Sequence, residues 1–159
     1  MDRDALFQSG MDLELPSTTR KEDTSYIGSF VSDDDRKDHF VVKNGVRCAG
    51  THLIIELYGA RHLADIRHID RAMRACVEAA GATLLHIHLH HFEPNGGVSG
   101  VAVLAESHIS VHTWPECGYA ALDVFMCGAA EPEKCVPILK KAFAAKRVEV
   151  DTLLRGKDV

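Results

Sequence analysis

The sequence predicts an α+β fold, a two-layer sandwich in which a mostly antiparallel sheet carries two helices on one face. From residue 50 onward, short apolar or alternating segments rich in β-branched residues stand between turn residues. Two longer segments instead repeat their apolar residues at helical spacing. The predicted order of elements is β-α-β-β-β-α-β. A chain of 159 residues that is 46% hydrophobic is long enough for one domain with a hydrophobic core.

The first predicted elements follow from local patterns. The segment THLIIELYG is an apolar run with β-branched residues that ends at a glycine, as is typical of a strand. The segment DIRHIDRAMRACVEAAG predicts a helix, in which Asp65 can cap the start and Gly81 the end. The segment ATLLHIHLHHF alternates and predicts a second strand, and EPNGG then predicts a turn.

The second half of the chain continues the sheet and adds the second helix. The segments VSGVAVLAE, HISVH and YAALDVFMCG predict further strands. EPEKCVPILKKAFAAK predicts a helix that is entered through Pro132 near its first turn. RVEVDTLL predicts the last strand. Both helices must bury one apolar face, and the sheet is the surface available to them.

The first 45 residues differ in composition from the remainder. Residues 1–38 hold ten acidic and five basic residues, so this stretch alone carries the net charge of −5. Its apolar residues show no sustained period, and SDDDRKD is a run of charges. We therefore predict a loosely ordered acidic extension over residues 1–45 and a folded domain over residues 46–159.

Composition also excludes several classes of partner. No basic run alternates with aromatic residues, so we expect no nucleic-acid binding. The apolar runs are shorter than the roughly 20 residues of a membrane helix, and the N-terminus lacks a signal-peptide pattern. The five cysteines include no CxxC pair, which predicts reduced thiols. We expect a cytoplasmic protein with no membrane contact.

Three alternating histidines, His86, His88 and His90, share one face of the second predicted strand. Such a row could hold a metal if a second element supplied further ligands, with His108, His112 or Asp123 as donors. The interpretation we favour is a sheet face whose imidazoles contact neighbours, solvent or another subunit, and we expect no metal. The alternative, a metal-binding module or metal-dependent enzyme, predicts stoichiometric metal in the purified protein.

The segment ESHISVHTWPE, Glu106 to Glu116, places a serine in a predicted strand. A hydrolase serine usually lies on a G-x-S-x-G turn between strand and helix, and that motif is absent here. Alternation along a regular strand directs Ser107, Ile109 and Val111 to one face. His108, Ser110 and His112 then occupy the other.

The segment GVSGVAVLAESHISVHTWPECGYAALDVFMCG, Gly97 to Gly128, closely resembles the prokaryotic S-adenosylmethionine decarboxylases, which are pyruvoyl-dependent enzymes made as proenzymes. The resemblance extends more weakly over about residues 48–150. It implies that Ser107 is converted to the pyruvoyl cofactor. It also implies self-cleavage between Glu106 and Ser107, giving a β chain of residues 1–106 and an α chain of residues 107–159.

The chemistry of decarboxylation explains why such a family needs a converted serine. Loss of CO₂ from an amino acid leaves a carbanion at Cα, and no natural side chain is an electron sink for it. A ketone that forms a Schiff base with the substrate supplies that sink. In the implied maturation, the Ser107 hydroxyl attacks the carbonyl of Glu106, and β-elimination of the resulting ester leads to pyruvoyl.

The resemblance implies a role for further residues one by one. His112 is the proton acceptor in processing, a task suited to imidazole. Ser99 assists processing, and Cys127 is the proton donor in catalysis. For the substrate, Phe92 stacks on adenine and Glu116 binds the ribose hydroxyls.

The implied reaction converts S-adenosylmethionine to S-adenosylmethioninamine, the aminopropyl donor for spermidine synthesis. The implied assembly is a homodimer of αβ protomers whose active sites form at the interface. Some relatives keep the pyruvoyl chemistry but decarboxylate ornithine or arginine, so a basic amino-acid decarboxylase is the alternative within the family. Phe92 and Glu116 favour the adenosyl substrate.

Overall fold

The computed structural model describes residues 40–158, and the account below concerns these residues. A short two-stranded ribbon precedes a six-stranded sheet that carries two α-helices. The strands are β1 (Val41–Lys43), β2 (Val46–Cys48), β3 (Gly50–Tyr58), β4 (Leu84–His91), β5 (Val98–Leu104), β6 (Ser107–Trp114), β7 (Tyr119–Met126) and β8 (Arg147–Arg155). The helices are α1 (Ile66–Ala80) and α2 (Cys135–Ala142).

The large sheet is antiparallel throughout, in the order β4-β5-β6-β7-β3-β8. Its core face carries the buried residues of the central strands and packs against the helices. We call the opposite surface the outer face. On the central strands β5, β6, β7 and β3 it comprises Ser99, Val101, Val103, His108, Ser110, His112, Trp114, Tyr119, Ala121, Asp123, Phe125, His52, Ile54, Glu56 and Tyr58.

Helix α1 begins and ends where the sequence predicts. The Asp65 carboxylate accepts a hydrogen bond from the backbone N–H of His68 at 3.0 Å, which caps the first turn. Gly81 has a φ of 72°, the left-handed conformation that commonly ends a helix. Met73 and Cys76 on the inner side of α1 are fully buried. The helix therefore contributes one apolar stripe to the core.

Helix α2 is shorter than predicted. A 3₁₀ turn, Pro132–Lys134, precedes it, so Pro132 lies in that turn and the α-helix begins at Cys135. The thiol of Cys135 lies 3.7 Å from the carbonyl oxygen of Cys76, and the thiol of Cys76 lies 3.8 Å from the carbonyl oxygen of Cys135. These close contacts join the two helices on the same face of the sheet, as predicted.

The element order departs from the prediction at two places. Four strands separate the helices, one more than β-α-β-β-β-α-β contains, although each of the four segments is itself predicted as a strand. The β1–β2 ribbon has one strand on each side of the boundary that we predicted between the extension and the folded domain, at residues 45 and 46. Residues 1–39 of the predicted extension lie outside the described residues.

Between residues 40 and 158, neither helix is long and apolar enough to cross a membrane.

Candidate active site

Ser107 is the first residue of β6 and lies at a tight hairpin. It pairs with Leu104, so Ala105 and Glu106 alone form the connection between β5 and β6. Glu106 has a φ of 61°, a left-handed conformation that costs an L-residue other than glycine about 1–2 kcal/mol. The Glu106–Ser107 peptide bond therefore follows a strained residue.

The Ser107 side chain points to the core face, as the alternation predicts, and is only 8% exposed. Its hydroxyl oxygen accepts a hydrogen bond of 3.2 Å from the backbone N–H of Cys127. The Cys127 thiol lies partly buried in this region. Burial, together with the nearby Glu106 carboxylate, raises the pKa of the Cys127 thiol, so the thiol stays protonated at neutral pH.

An open cleft of about 540 Å³ adjoins Ser107, and we call it the Ser107 cleft. Its lining comprises Ala49, Leu104, Glu106, Ser107, His108, Phe125, Arg155 and Gly156. His108 is the outer-face neighbour of Ser107. Burial lowers the pKa of its imidazole, and repulsion from His52 and Arg155 adds to this effect while Asp123 opposes it. His108 is therefore a neutral imidazole at neutral pH.

A second cavity, of about 190 Å³, lies at the other end of β6, and we call it the His112 cavity. Its lining comprises Phe92, Asn95, Gly97, Ser99, His112, Thr113, Trp114 and Glu116. The Ser99 hydroxyl and the His112 Nδ1 are 2.9 Å apart, within hydrogen-bonding distance on paired positions of β5 and β6. Four of the predicted site residues thus meet in one cavity.

The two groups of predicted residues lie far apart within the chain. Ser107 and His112 are five residues apart on one strand, about 16 Å at roughly 3.3 Å per residue. Their side chains also point to opposite faces of the sheet. The fold gathers Glu106, Ser107 and Cys127 at one end and the His112 cavity residues at the other. A single chain does not join the two groups.

Thr113 is a buried member of the His112 cavity that sequence reasoning missed. Its hydroxyl donates to the carbonyl of Leu63 at 2.7 Å and accepts from the backbone N–H of Val98 at 2.8 Å. These bonds tie the segment after β3 to the start of β5 and the end of β6. Thr113 thereby holds these three segments together beside the His112 cavity.

Replacing Thr113 by valine keeps the shape but removes the hydroxyl, so the Val98 N–H and the Leu63 carbonyl lose a partner. We expect the free energy of unfolding of Thr113→Val to fall by about 1–3 kcal/mol. Urea denaturation with an unchanged m-value measures this effect. Thr152→Val, at an exposed position of β8, is the control and should change stability by no more than about 0.5 kcal/mol. Equal stability of the two variants would contradict the role of Thr113.

The middle of the outer face carries a polar network. The Asp123 carboxylate, to which the family resemblance assigns no role, accepts a hydrogen bond from the Ser110 hydroxyl at 3.0 Å. Its other oxygen lies 3.1 Å from the Nε2 of His52. The network spans β6, β7 and β3, and so connects the three strands between the two ends of the site.

The predicted histidine row lies on β4, at the edge of the sheet. His86, His88 and His90 are exposed, and their direct partners on β5 are Val103, Val101 and Ser99. A valine offers no metal ligand, so the neighbouring strand does not complete a site. Across residues 40–158, no group of three or more His, Cys, Asp or Glu side chains is arranged to hold a metal ion.

Three comparisons with known proteins agree. The family model described as S-adenosylmethionine decarboxylase matches residues 51–156. The S-adenosylmethionine decarboxylase proenzyme of Thermomicrobium roseum is 44% identical over 112 residues, covering 70% of this chain and 97% of that protein. The proenzyme of the same name from Methanococcus maripaludis is 47% identical over 110 residues, covering 67% of this chain and 89% of that protein.

A solved structure is similar as well. The crystal structure of the adenosylmethionine decarboxylase from Aquifex aeolicus VF5 gives a TM-score of 0.60 at 33% identity and covers 69% of this chain and 92% of that one. Fold and matches together define an enzyme family built on a two-layer α+β core. The chain belongs to the S-adenosylmethionine decarboxylase family.

Proposed function

We propose that this chain decarboxylates S-adenosylmethionine with a pyruvoyl group that it makes from Ser107. The observation that carries the proposal is the setting of the Glu106–Ser107 bond. It lies in a two-residue connection after a left-handed residue, with the serine hydroxyl held by the N–H of Cys127. Breaking the chain here releases the strain at Glu106 without cutting a strand.

The proposed maturation needs only groups of the chain and water. The Ser107 hydroxyl adds to the Glu106 carbonyl, and the peptide C–N bond breaks as the ester forms. Removal of the Ser107 Cα proton then breaks the Cβ–Oγ bond and frees the Glu106 carboxylate. The dehydroalanine left at position 107 takes up water and releases ammonia. The α chain then begins with pyruvoyl.

The pyruvoyl group supplies an electron sink for the charge that develops at Cα when CO₂ leaves. The residues around Ser107 support that chemistry. The backbone N–H of Cys127 donates to the hydroxyl oxygen of Ser107, so the thiol is carried by a residue that contacts Ser107. Since its raised pKa keeps that thiol protonated, Cys127 is the proton donor that we propose for the product carbon.

The His112 cavity supplies the proposed nucleoside contacts. Phe92 is 49% exposed and therefore offers an aromatic face for adenine. Glu116 lies on the same cavity wall and can accept hydrogen bonds from the two ribose hydroxyls. Ser99 and His112, already within hydrogen-bonding distance, are the pair that we propose to assist processing.

Because these two groups lie at opposite ends of β6, the proposed site requires two copies of the chain. Consider two copies whose outer faces pack against each other around a twofold axis. The axis lies between the two faces, parallel to both sheets and perpendicular to the strands, and it passes over β6 midway between Ser107 and His112. Such an axis brings the His112 cavity of one copy over the Ser107 cleft of the other, and the reverse. A homodimer with two composite sites is therefore the assembly that we propose.

The character of the outer face supports this assembly. Val103, Trp114 and Leu153, which lie on this side of the sheet, are 40–48% exposed, so apolar side chains face solvent beside its polar groups. The Asp123 network lies between the two ends, close to the proposed axis. Packing two such faces together removes the apolar side chains from water.

The cytoplasm is the compartment that we propose, because all five cysteines are free thiols. The proposed product carries an aminopropyl group on a sulfonium, which makes it a donor for an aminopropyl transfer such as spermidine synthesis.

The test is CO₂ release from carboxyl-labelled substrates with purified, self-cleaved protein. We expect release from S-adenosylmethionine and none above background from ornithine or arginine. Exclusive release from ornithine or arginine would overturn the proposed substrate but not the pyruvoyl chemistry. Release from none of the three by cleaved protein would overturn the proposed activity itself.

A further inference from the structure

We infer that Arg155 binds the α-carboxylate of the substrate in the Ser107 cleft. This inference rests on the proposed function and adds a residue that positions the amino-acid end of the substrate. Arg155 is the last residue of β8 and lines the same cleft as Ser107. Its position follows from the sheet order, not from any motif around ESH.

The guanidinium of Arg155 lies over an aromatic side chain of the sheet. Its Cζ lies 5.4 Å from the centre of the Phe125 ring, and that ring lies 5.7 Å from the imidazole of His108. His108 directly follows Ser107 in the chain. The three side chains therefore form a continuous wall that leads from Arg155 to the residue that becomes the cofactor.

Gly50 gives this wall its shape. Arg155 pairs with Gly50 across β3 and β8, and a Cβ on residue 50 would lie 2.9 Å from the Phe125 ring and 2.6 Å from the carbonyl oxygen of Met126. The absent side chain lets the Phe125 ring lie against β3. The Phe125 ring then lies between the imidazole of His108 and the guanidinium of Arg155.

The charges in the cleft favour a carboxylate at Arg155. S-adenosylmethionine has one anionic group, the α-carboxylate, besides a cationic sulfonium and an amine. In the uncleaved chain Glu106 is the acidic residue and Arg155 the basic residue of the cleft lining, and His108 is neutral at neutral pH. Within residues 40–158, no carboxylate forms a salt bridge with Arg155. A guanidinium is suited to bind a carboxylate through two hydrogen bonds.

The position of Arg155 also predicts which kinetic constant depends on it. A cation beside the carboxylate stabilises the bound substrate, and the carboxylate still carries most of its charge when the C–C bond begins to break. The interaction is therefore made about equally in the bound substrate and in the transition state. Removing it should raise KM and leave kcat nearly unchanged.

The experiment compares wild type with Arg155→Gln and Arg155→Lys. Intact mass first establishes that each variant self-cleaves to the wild-type extent. We expect Arg155→Gln to raise KM for S-adenosylmethionine about tenfold to a hundredfold, with kcat within about threefold. Arg155→Lys, which keeps the charge, should recover part of this loss.

Inhibition by the product S-adenosylmethioninamine isolates the carboxylate, because the product lacks only that group. Its inhibition constant should change by less than about twofold in Arg155→Gln. The matched control is Arg147→Gln, which removes an arginine that also lies over an aromatic ring, that of Tyr58, at the far end of β8. This control should leave the KM for S-adenosylmethionine unchanged.

An unchanged KM in a fully cleaved Arg155→Gln protein would overturn the inference, and so would an equal loss of affinity for substrate and product. Loss of self-cleavage or of the dimer would also overturn it, because Arg155 would then support the fold or the interface. Absence of cleavage in the wild type is the separate result that refutes the proposed function.

Discussion

Ser107→Ala is expected to abolish both self-cleavage and decarboxylation. Without the hydroxyl there is no acyl shift at Glu106, no elimination and no ketone at residue 107. The chain should remain a single species of 17.5 kDa. Because no other side chain of the site is an electron sink, CO₂ release should fall to background, a loss of at least about 10⁶-fold. Denaturing electrophoresis and labelled CO₂ measure the two effects.

The control for Ser107→Ala is Thr152→Ala, which removes a hydroxyl at an exposed position on another strand. This variant should cleave and turn over like the wild type. Thermal unfolding of both variants shows whether the folded domain is retained. Normal decarboxylation by a folded, uncleaved Ser107→Ala protein would refute the pyruvoyl mechanism.

Mixing two inactive variants should restore cleavage if each site is built from two copies. His112→Ala alone should slow self-cleavage about 10²–10⁴-fold, the usual contribution of a general base. In a heterodimer with Ser107→Ala, the intact Ser107 of one chain faces the intact His112 of the other. We therefore expect the His112→Ala chain to cleave at close to the wild-type rate only after coexpression with the Ser107→Ala chain. Affinity tags of different mass identify the cleaved chain.

The arrangement of the His112 cavity provides a stringent control. Ser99 and His112 lie in the same cavity of one chain, so His112→Ala and Ser99→Ala chains cannot complement one another. That pair should stay as defective as either parent. Complementation by both pairs, or by neither, would contradict a composite site of the proposed geometry.

Local patterns predicted most elements of the fold. The Asp65 cap, the Gly81 terminus and the alternation of β6 each depend on a few neighbouring residues, and the structure has all three as predicted. The order of strands in the sheet depends on long-range pairing, which no short segment encodes.

The candidate site divides in the same way. Motif resemblance selected Ser107, Ser99 and His112, but spacing along the chain could not reveal that Ser107 lies at the end of the sheet away from the other two. Arg155 and Thr113 escaped prediction for a related reason. Arg155 is distant in sequence and reaches the cleft only because β8 pairs with β3, and Thr113 acts through backbone partners on other elements.

The most direct test of self-conversion at Ser107 is the intact mass of the purified wild-type protein under denaturing conditions. We predict two chains that separate at Glu106 and Ser107, the smaller carrying a pyruvoyl group in place of an N-terminal serine. Treatment with borohydride should increase the mass of this smaller chain by two hydrogens, as expected for reduction of a ketone. A single chain of 159 residues that remains intact on prolonged incubation would contradict the proposed mechanism.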